Sequence, residues 1–331
     1  MHLAIRADGG PGIGYGHLVR TSALATEVLR RGHSVTYATT TPGPVTEVCP
    51  SDTETVDLPS RTDASPLVDW LDGEVNVALI DSYLADEEYQ RAVKDVVSLA
   101  LVSDDTRHPI CADVVINGNL YAPDLDYDVL GDEPTWCLGP EYLLLRDPIT
   151  QLAARDPPWR DDPERAIVTM GGSDMAELTP TVLQAFDGFN IQVDAIVGPG
   201  FSEDQERAIR DAAIEVSATV RVARDPDDLA ERMFEADFAV STASSTTYEL
   251  LALGTPIVSR PIVDSQEPIA AALRERDAAT VLGHDDGEDA FRRAIEAYVT
   301  GATLRRERRE LGRDLVDGQG TERIADIIAR L

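Results

Sequence analysis

The chain has 331 residues, 43% of them apolar, which is too long for one ordinary core and predicts two domains of roughly 150 residues each. Its 29 basic residues face 60 acidic ones, a formal net charge of −31 with Lys94 the sole lysine, and this excludes a nucleic-acid-binding surface. The acid is scattered through segments such as "DPDDLAER" and "GHDDGEDAFRR", as on solvated helix faces, and its self-repulsion fades where the Debye length falls to about 3 Å at 1 M salt, which points to a salt-rich, halophilic cytoplasm.

In chain order, strands are predicted at Leu3 to Arg6, Ser34 to Ala38, Val77 to Asp81, Leu99 to Ser103 and Val114 to Asn117. A helix from about His17 to Arg31 separates the first two and stops at Gly32, a residue suited to the left-handed turn past a helix end. The Pro- and Asp-rich stretch "RDPPWRDDPER" breaks both periodicities, so residues 151–165 read as a linker between domains at 1–150 and 166–331. Beyond it, strands are predicted at Ala166 to Met170, Val193 to Val197, Thr219 to Val222, Phe238 to Ser241, Ile257 to Ser259 and Thr280 to Leu282. The alternation of strands and helices predicts two Rossmann-like α/β domains with parallel sheets, facing each other across a cleft.

The three cysteines, Cys49, Cys111 and Cys137, have no metal-site spacing and read as buried or free thiols in a reducing compartment. Neither a signal peptide nor a run of ~20 apolar residues is present, so a soluble cytoplasmic protein without membrane insertion is expected. The sequence leaves the oligomeric state open.

Chemistry-bearing residues gather in the loops that leave the predicted strand ends. "GGPGIGYGH" fails as a dinucleotide fingerprint, because its glycines run Gly12, Gly14, Gly16 and the second strand ends in "YATTT" without a ribose-binding acid; it fails as a P-loop because no Gly-Lys-Ser/Thr follows. It remains a pliant turn opening a helix that starts with His17 and Arg20. In the second half, "VTMGGSDMAEL" and "VSTASSTTYELLALG" each place small and hydroxyl residues before a helix: Gly171, Gly172 and Ser173 in one, Ser244 to Thr247 in the other. One such loop is as well explained by helix capping, whereas two favour a diphosphate. Glu249, about one turn into the second helix, is suited to a ribose diol or is simply a surface glutamate.

The segments "IRADGGPGIGYGHLVRTSALA", "LGPEYLLLRDPI", "VTMGGSD", "STASSTTYELLALGTP" and "VDSQ" together resemble the UDP-2,4-diacetamido-2,4,6-trideoxy-β-L-altropyranose hydrolases of pseudaminic acid biosynthesis. That family is related in fold to the GT-B glycosyltransferases. The resemblance, from about residue 1 to 275, implies a GT-B fold and hydrolysis of a UDP-sugar without a cofactor or metal. It implies His17 as the catalytic residue and Glu249 as the ribose ligand, with Gly172, Ser173, Ser245 and Thr246 near the phosphates. Asp8, Gly14, Gly16, Arg20, Tyr83, Asn117 and Gln266 are implied as further substrate contacts, with Asp81, Asp104 and Asp105 on the same side as Tyr83. Two positions depart from the family pattern: Ser265 stands before Gln266 where an Asn is usual, and Ala243 to Thr246 reads Ala-Ser-Ser-Thr instead of Gly-Gly-Ser-Thr. A glycosyltransferase with the same donor site, and a nucleotide-sugar-binding protein without turnover, are the alternatives; the early helices lack the apolar, basic patch of a membrane-acting transferase.

Overall fold

Strand Val77–Asp81 is buried along its whole length, as a central strand of a parallel sheet covered on both faces must be. It belongs to a computed structural model that describes residues 1–331 except Pro11, Asp72 and Ser173. The chain divides into two compact units, residues 1–147 with 318–331, and residues 148–317.

The first unit holds β1 (His2–Ala7), β2 (Ser34–Thr39), β3 (Glu54–Asp57), β4 (Val77–Asp81), β5 (Ser98–Val102), β6 (Val114–Asn117) and β7 (Thr135–Leu138). They form one sheet in the order β3-β2-β1-β4-β5-β6-β7, all pairs parallel. Alternation along β1 sends Leu3 and Ile5 into a core with Leu18, Leu24 and Val28 of the helix Gly16–Arg30. Ala4, on the other face, joins Tyr89 and Val93 of the helix Glu87–Lys94. Two strands were not foreseen. β3, "ETVD", lies at the sheet edge and is largely exposed, and β7 is the opposite edge, so neither carries the continuous apolar run that marks an interior strand. Gly32 has φ +80°, the left-handed stop the sequence predicts.

The second unit holds β8 (Arg165–Thr169), β9 (Gln192–Val197), β10 (Thr219–Arg224), β11 (Phe238–Thr242), β12 (Ile257–Arg260) and β13 (Thr280–Val281), in the order β10-β9-β8-β11-β12-β13 and again parallel. Phe238 anchors its core, 6.1 Å from the Phe186 ring and 5.7 Å from that of Tyr298.

The domain boundaries differ from the sequence reading at both ends. The helix Gly320–Ile328, assigned from sequence to the second domain, buries Ile324, Ala325 and Ile328 in the core of the first. A Cβ on Gly320 would collide with the backbone of Leu143, so only glycine allows this close seating. The expected linker 151–165 belongs to the second unit and is tied down there. Arg305 donates to the Asp161 carbonyl at 2.6 Å, Arg309 to that of Pro157 at 3.2 Å and Arg313 to that of Arg155 at 2.8 Å. The guanidinium groups of Arg305, Arg306 and Arg309 lie 4.9–5.6 Å from the Trp159 ring. The periodicity is broken here because side chains of the helix Ala302–Leu315, and not a backbone ladder, take up the segment's carbonyls.

Candidate active site

Open parallel sheets expose loops at the carboxyl end where the strand order reverses, and in the first sheet that point lies between β1 and β4. Ala7 of β1 pairs in register with Asp81 of β4, so the loop leaving β1 starts beside Asp81. That loop doubles back through reciprocal backbone hydrogen bonds between Gly10 and Gly14, at 3.1 and 2.8 Å, and both glycines have positive φ, +130° and +90°. Gly14 and Gly16 are exposed with open space where a Cβ would stand, which leaves their backbone approachable.

His17, the second residue of the following helix, does not cap it. Its ring turns to β4 and places Nδ1 2.6 Å from Asp81 Oδ1. A carboxylate only accepts, so Nδ1 carries the hydrogen and donates, and the lone pair of the neutral ring sits at Nε2. Nε2 has no hydrogen-bond partner among the described residues. Asp81 is ionised: burial opposes its charge, but the charge and hydrogen bonds of Arg20, joined by the bond from His17, bring its pKa down to about 2.

Arg20, one helical turn from His17, spends all three guanidinium nitrogens on protein carboxylates. Nε donates to Asp81 Oδ2 and Nη2 to Asp81 Oδ1, each at 2.6 Å, and Nη1 donates to the two oxygens of Asp104 at 2.8 and 2.9 Å. The Tyr83 hydroxyl also donates to Asp104, at 2.9 Å; burial and the facing Asp104 charge push this phenol upward, which keeps it a donor. The exposed Tyr83 ring stands edge-on to His17 with centroids 4.9 Å apart, and its face carries the Arg107 guanidinium at 4.2 Å. Asp105 pairs with Arg107 at 2.6 Å.

Two residues expected to touch substrate are instead enclosed. Asn117 is fully buried, donates to the Tyr127 hydroxyl at 2.9 Å and accepts from the Asn119 side chain at 2.7 Å, which corrects its assignment as a contact: its polar atoms are spent on the protein. Asn119, passed over in the sequence, is the one that reaches the site, donating to Asp104 at 3.1 Å. Its signal was the spacing in "NGN", where residues two apart on an extended segment leave the sheet end together. Asp8 is likewise buried. Arg6 at 2.8 Å and Arg61 at 3.2 Å donate to its Oδ2, while the Thr39 hydroxyl and both the amide and hydroxyl of Thr40 donate to Oδ1. These bonds drive its pKa down against the cost of burial and assign it to joining the ends of β1 and β2.

In the second unit the reversal falls between β8 and β11, and the two glycine- and hydroxyl-rich loops leave from those strands. Gly171 has φ +78°, and a Cβ there would lie 3.6 Å from Ser244 Oγ and 3.8 Å from Thr246 Oγ1, so the two loops are adjacent. Gly172 and Ser245 are exposed and Thr246 is half-buried, while Ser173 lies outside the described residues. Ser244, ahead of the helix Ser245–Leu253, makes no side-chain capping bond; its carbonyl takes the Thr247 amide at 2.9 Å, and among the described residues the amides of Ser245 and Thr246 have no backbone partner, so these two can meet an anion. Thr247 is buried and donates to the Thr242 carbonyl at 3.0 Å. Glu249 is half-buried on the same helix. Gln266 accepts from the Ile262 amide at 2.9 Å and closes its own loop, leaving its NH2 group for other partners. Among the described residues no group of three or more His, Cys, Asp and Glu side chains is arranged to hold a metal ion, and no helix is long and apolar enough to cross a membrane.

No family model matches the chain. It is 26% identical over 349 aligned positions to the spore coat polysaccharide biosynthesis protein SpsG of Bacillus subtilis, spanning 100% of this chain and 98% of that one. It is 23% identical over 281 positions to the UDP-2,4-diacetamido-2,4,6-trideoxy-beta-L-altropyranose hydrolase of Campylobacter jejuni, spanning 83% and 97%. Among solved structures it is similar to MurG of Acinetobacter baumannii, with a TM-score of 0.72 at 14% identity over 100% and 99% of the two chains. It is also similar to CalG4, the calicheamicin glycosyltransferase, with a TM-score of 0.71 at 17% identity over 99% and 97%. These likenesses, with the two parallel-sheet α/β units, establish the fold as that of the GT-B glycosyltransferases.

Proposed function

We propose that the chain is a nucleotide-sugar hydrolase of polysaccharide biosynthesis, releasing UDP and a free acetamido-deoxy sugar from a UDP-sugar. The observation that carries this reading is the His17 imidazole, anchored through Nδ1 on a buried, ionised carboxylate with Nε2 unclaimed. That is the arrangement of an oriented general base. Nε2 takes a proton from water as the water oxygen bonds to the anomeric carbon; the bond from that carbon to the diphosphate oxygen breaks, and its electrons leave with UDP. The second phosphate pKa near 6 lets UDP depart without a dedicated acid. Within the second unit, the amides of Ser245 and Thr246 and the loop at Gly171 and Gly172 suit a diphosphate charge in this reading, and Glu249 suits ribose hydroxyls. The relatives named for polysaccharide biosynthesis and for UDP-sugar hydrolysis support it.

The runner-up is a glycosyltransferase, favoured by the solved neighbours, in which a sugar hydroxyl takes the place of water. Incubation with a panel of UDP-acetamidohexoses without acceptor discriminates: stoichiometric UDP and reducing sugar support hydrolysis, whereas UDP release that appears only on adding an acceptor alcohol supports transfer.

A further inference from the structure

We propose that Arg20 is a positioning residue for the His17 base, its guanidinium balancing Asp81 and Asp104 so that the imidazole stays free to accept a proton at Nε2. This deepens the hydrolytic reading and rests on it for its kinetic arm. The resemblance implies that Arg20 binds substrate, but Nε, Nη1 and Nη2 are all committed to Asp81 and Asp104 at 2.6–2.9 Å. Asp81 is 1% exposed and faces two donors, His17 and Arg20. A buried carboxylate must be compensated. Were the imidazole its sole partner, compensation would come from an imidazolium, which has no lone pair left with which to activate water. Arg20 supplies the positive charge instead. Asp104 takes up the remaining arm of the fork, and Tyr83 and Asn119 fix Asp104 in turn.

The other charged and titratable groups around His17 fit this balance. On the loop after β4 the Tyr83 ring meets His17, with Arg107 on its face and Asp105 paired to Arg107. Beneath the helix, Tyr37 of β2 reaches Thr21 at 3.3 Å, and burial holds both Tyr37 and the neighbouring Cys49 in their neutral forms. Among these groups Arg20 is the cation in contact with Asp81.

Arg20→Gln keeps hydrogen-bond donors and removes the charge. The expected result is an acid limb of the kcat/KM–pH profile moved to higher pH by about one unit, with KM little changed. A rise in KM with an unmoved limb would mean a substrate contact and would overturn the proposal; Arg20→Lys restores charge without the fork and is expected to bring the limb back towards its original position. An arm independent of turnover uses protein labelled with 15N at its five histidines, with His17 assigned by its loss in His17→Gln. The His17 titration midpoint rises in Arg20→Gln and falls in Asp104→Asn, which removes a negative charge; midpoints unmoved in both refute the balance. If Arg20→Gln fails to fold by near-ultraviolet circular dichroism, Asp104→Asn alone decides, an unmoved midpoint overturning the proposal. Absence of UDP release from every UDP-sugar tried, with or without acceptor, sinks the enzymatic reading while the titrations still judge Arg20.

Discussion

At the scale of single residues, the decisive fact is that a histidine and an aspartate 64 positions apart meet at 2.6 Å. On the proposed hydrolytic reading, His17→Ala removes the base and leaves the second unit's loops untouched, so UDP release is expected to fall ~10²-fold or more while UDP affinity, measured by calorimetry, stays unchanged. Asp81 also bears on stability. Its folded pKa of about 2 lies below the ordinary aspartate value of 3.8, so the stabilisation it provides is fully present above about pH 4 and is lost as pH falls through about 2. The shift corresponds to about 2 kcal/mol. In denaturant unfolding followed across pH, Asp81→Asn is therefore expected to be destabilised at neutrality and to converge with the unaltered protein at the acid end; a constant gap would show that the carboxylate's charge contributes nothing. The sequence showed His17 opening a helix behind a glycine-rich turn, and only the resemblance implied a role for it; its bond to Asp81 was not legible. The enclosure of Asp8 and Asn117 was not, since burial depends on which strands become neighbours.

At the scale of elements, the C-terminal helix Gly320–Ile328 shows most clearly where a chain-order reading stops. Its place in chain order assigned it to the second domain, and nothing local says which core receives Ile324 and Ile328. They are fully buried against the first unit, and Leu145 and Thr321 exchange hydrogen bonds at 3.1 Å across the junction. Ile328→Ala is expected to cost ~2–4 kcal/mol through lost burial and a residual cavity, read as a lowered unfolding midpoint. A loss below about 0.5 kcal/mol would mean the helix is not seated on that core in solution. The loop elements were legible because their glycines and hydroxyls are required locally: positive φ at Gly171 is a backbone demand that sequence alone can suggest. The edge strands β3 and β7 were not, because a half-exposed edge needs no apolar run.

At the scale of the whole molecule, the net charge of −31 coexists with two buried arginines beside Trp159, Arg305 and Arg309, which bond backbone carbonyls. The surface is thereby left more acidic still. Mutual repulsion of that size is expected to make the melting temperature rise steeply from dilute buffer to molar KCl, as screening shortens its range. A melting temperature independent of salt would remove the argument for a salt-rich cytoplasm. The amino-acid sequence by itself determined the α/β class, the two-sheet organisation and the glycine- and hydroxyl-rich loops at the strand ends, because strand periodicity, glycine conformation and helix starts are local properties. Only the tertiary structure decided which loops became neighbours, that Arg20 serves Asp81 and Asp104, that Asn119 and not Asn117 reaches the site, and that the last helix returns to the first core. Those are consequences of strand order, and strand order is fixed by long-range packing that no window of sequence contains.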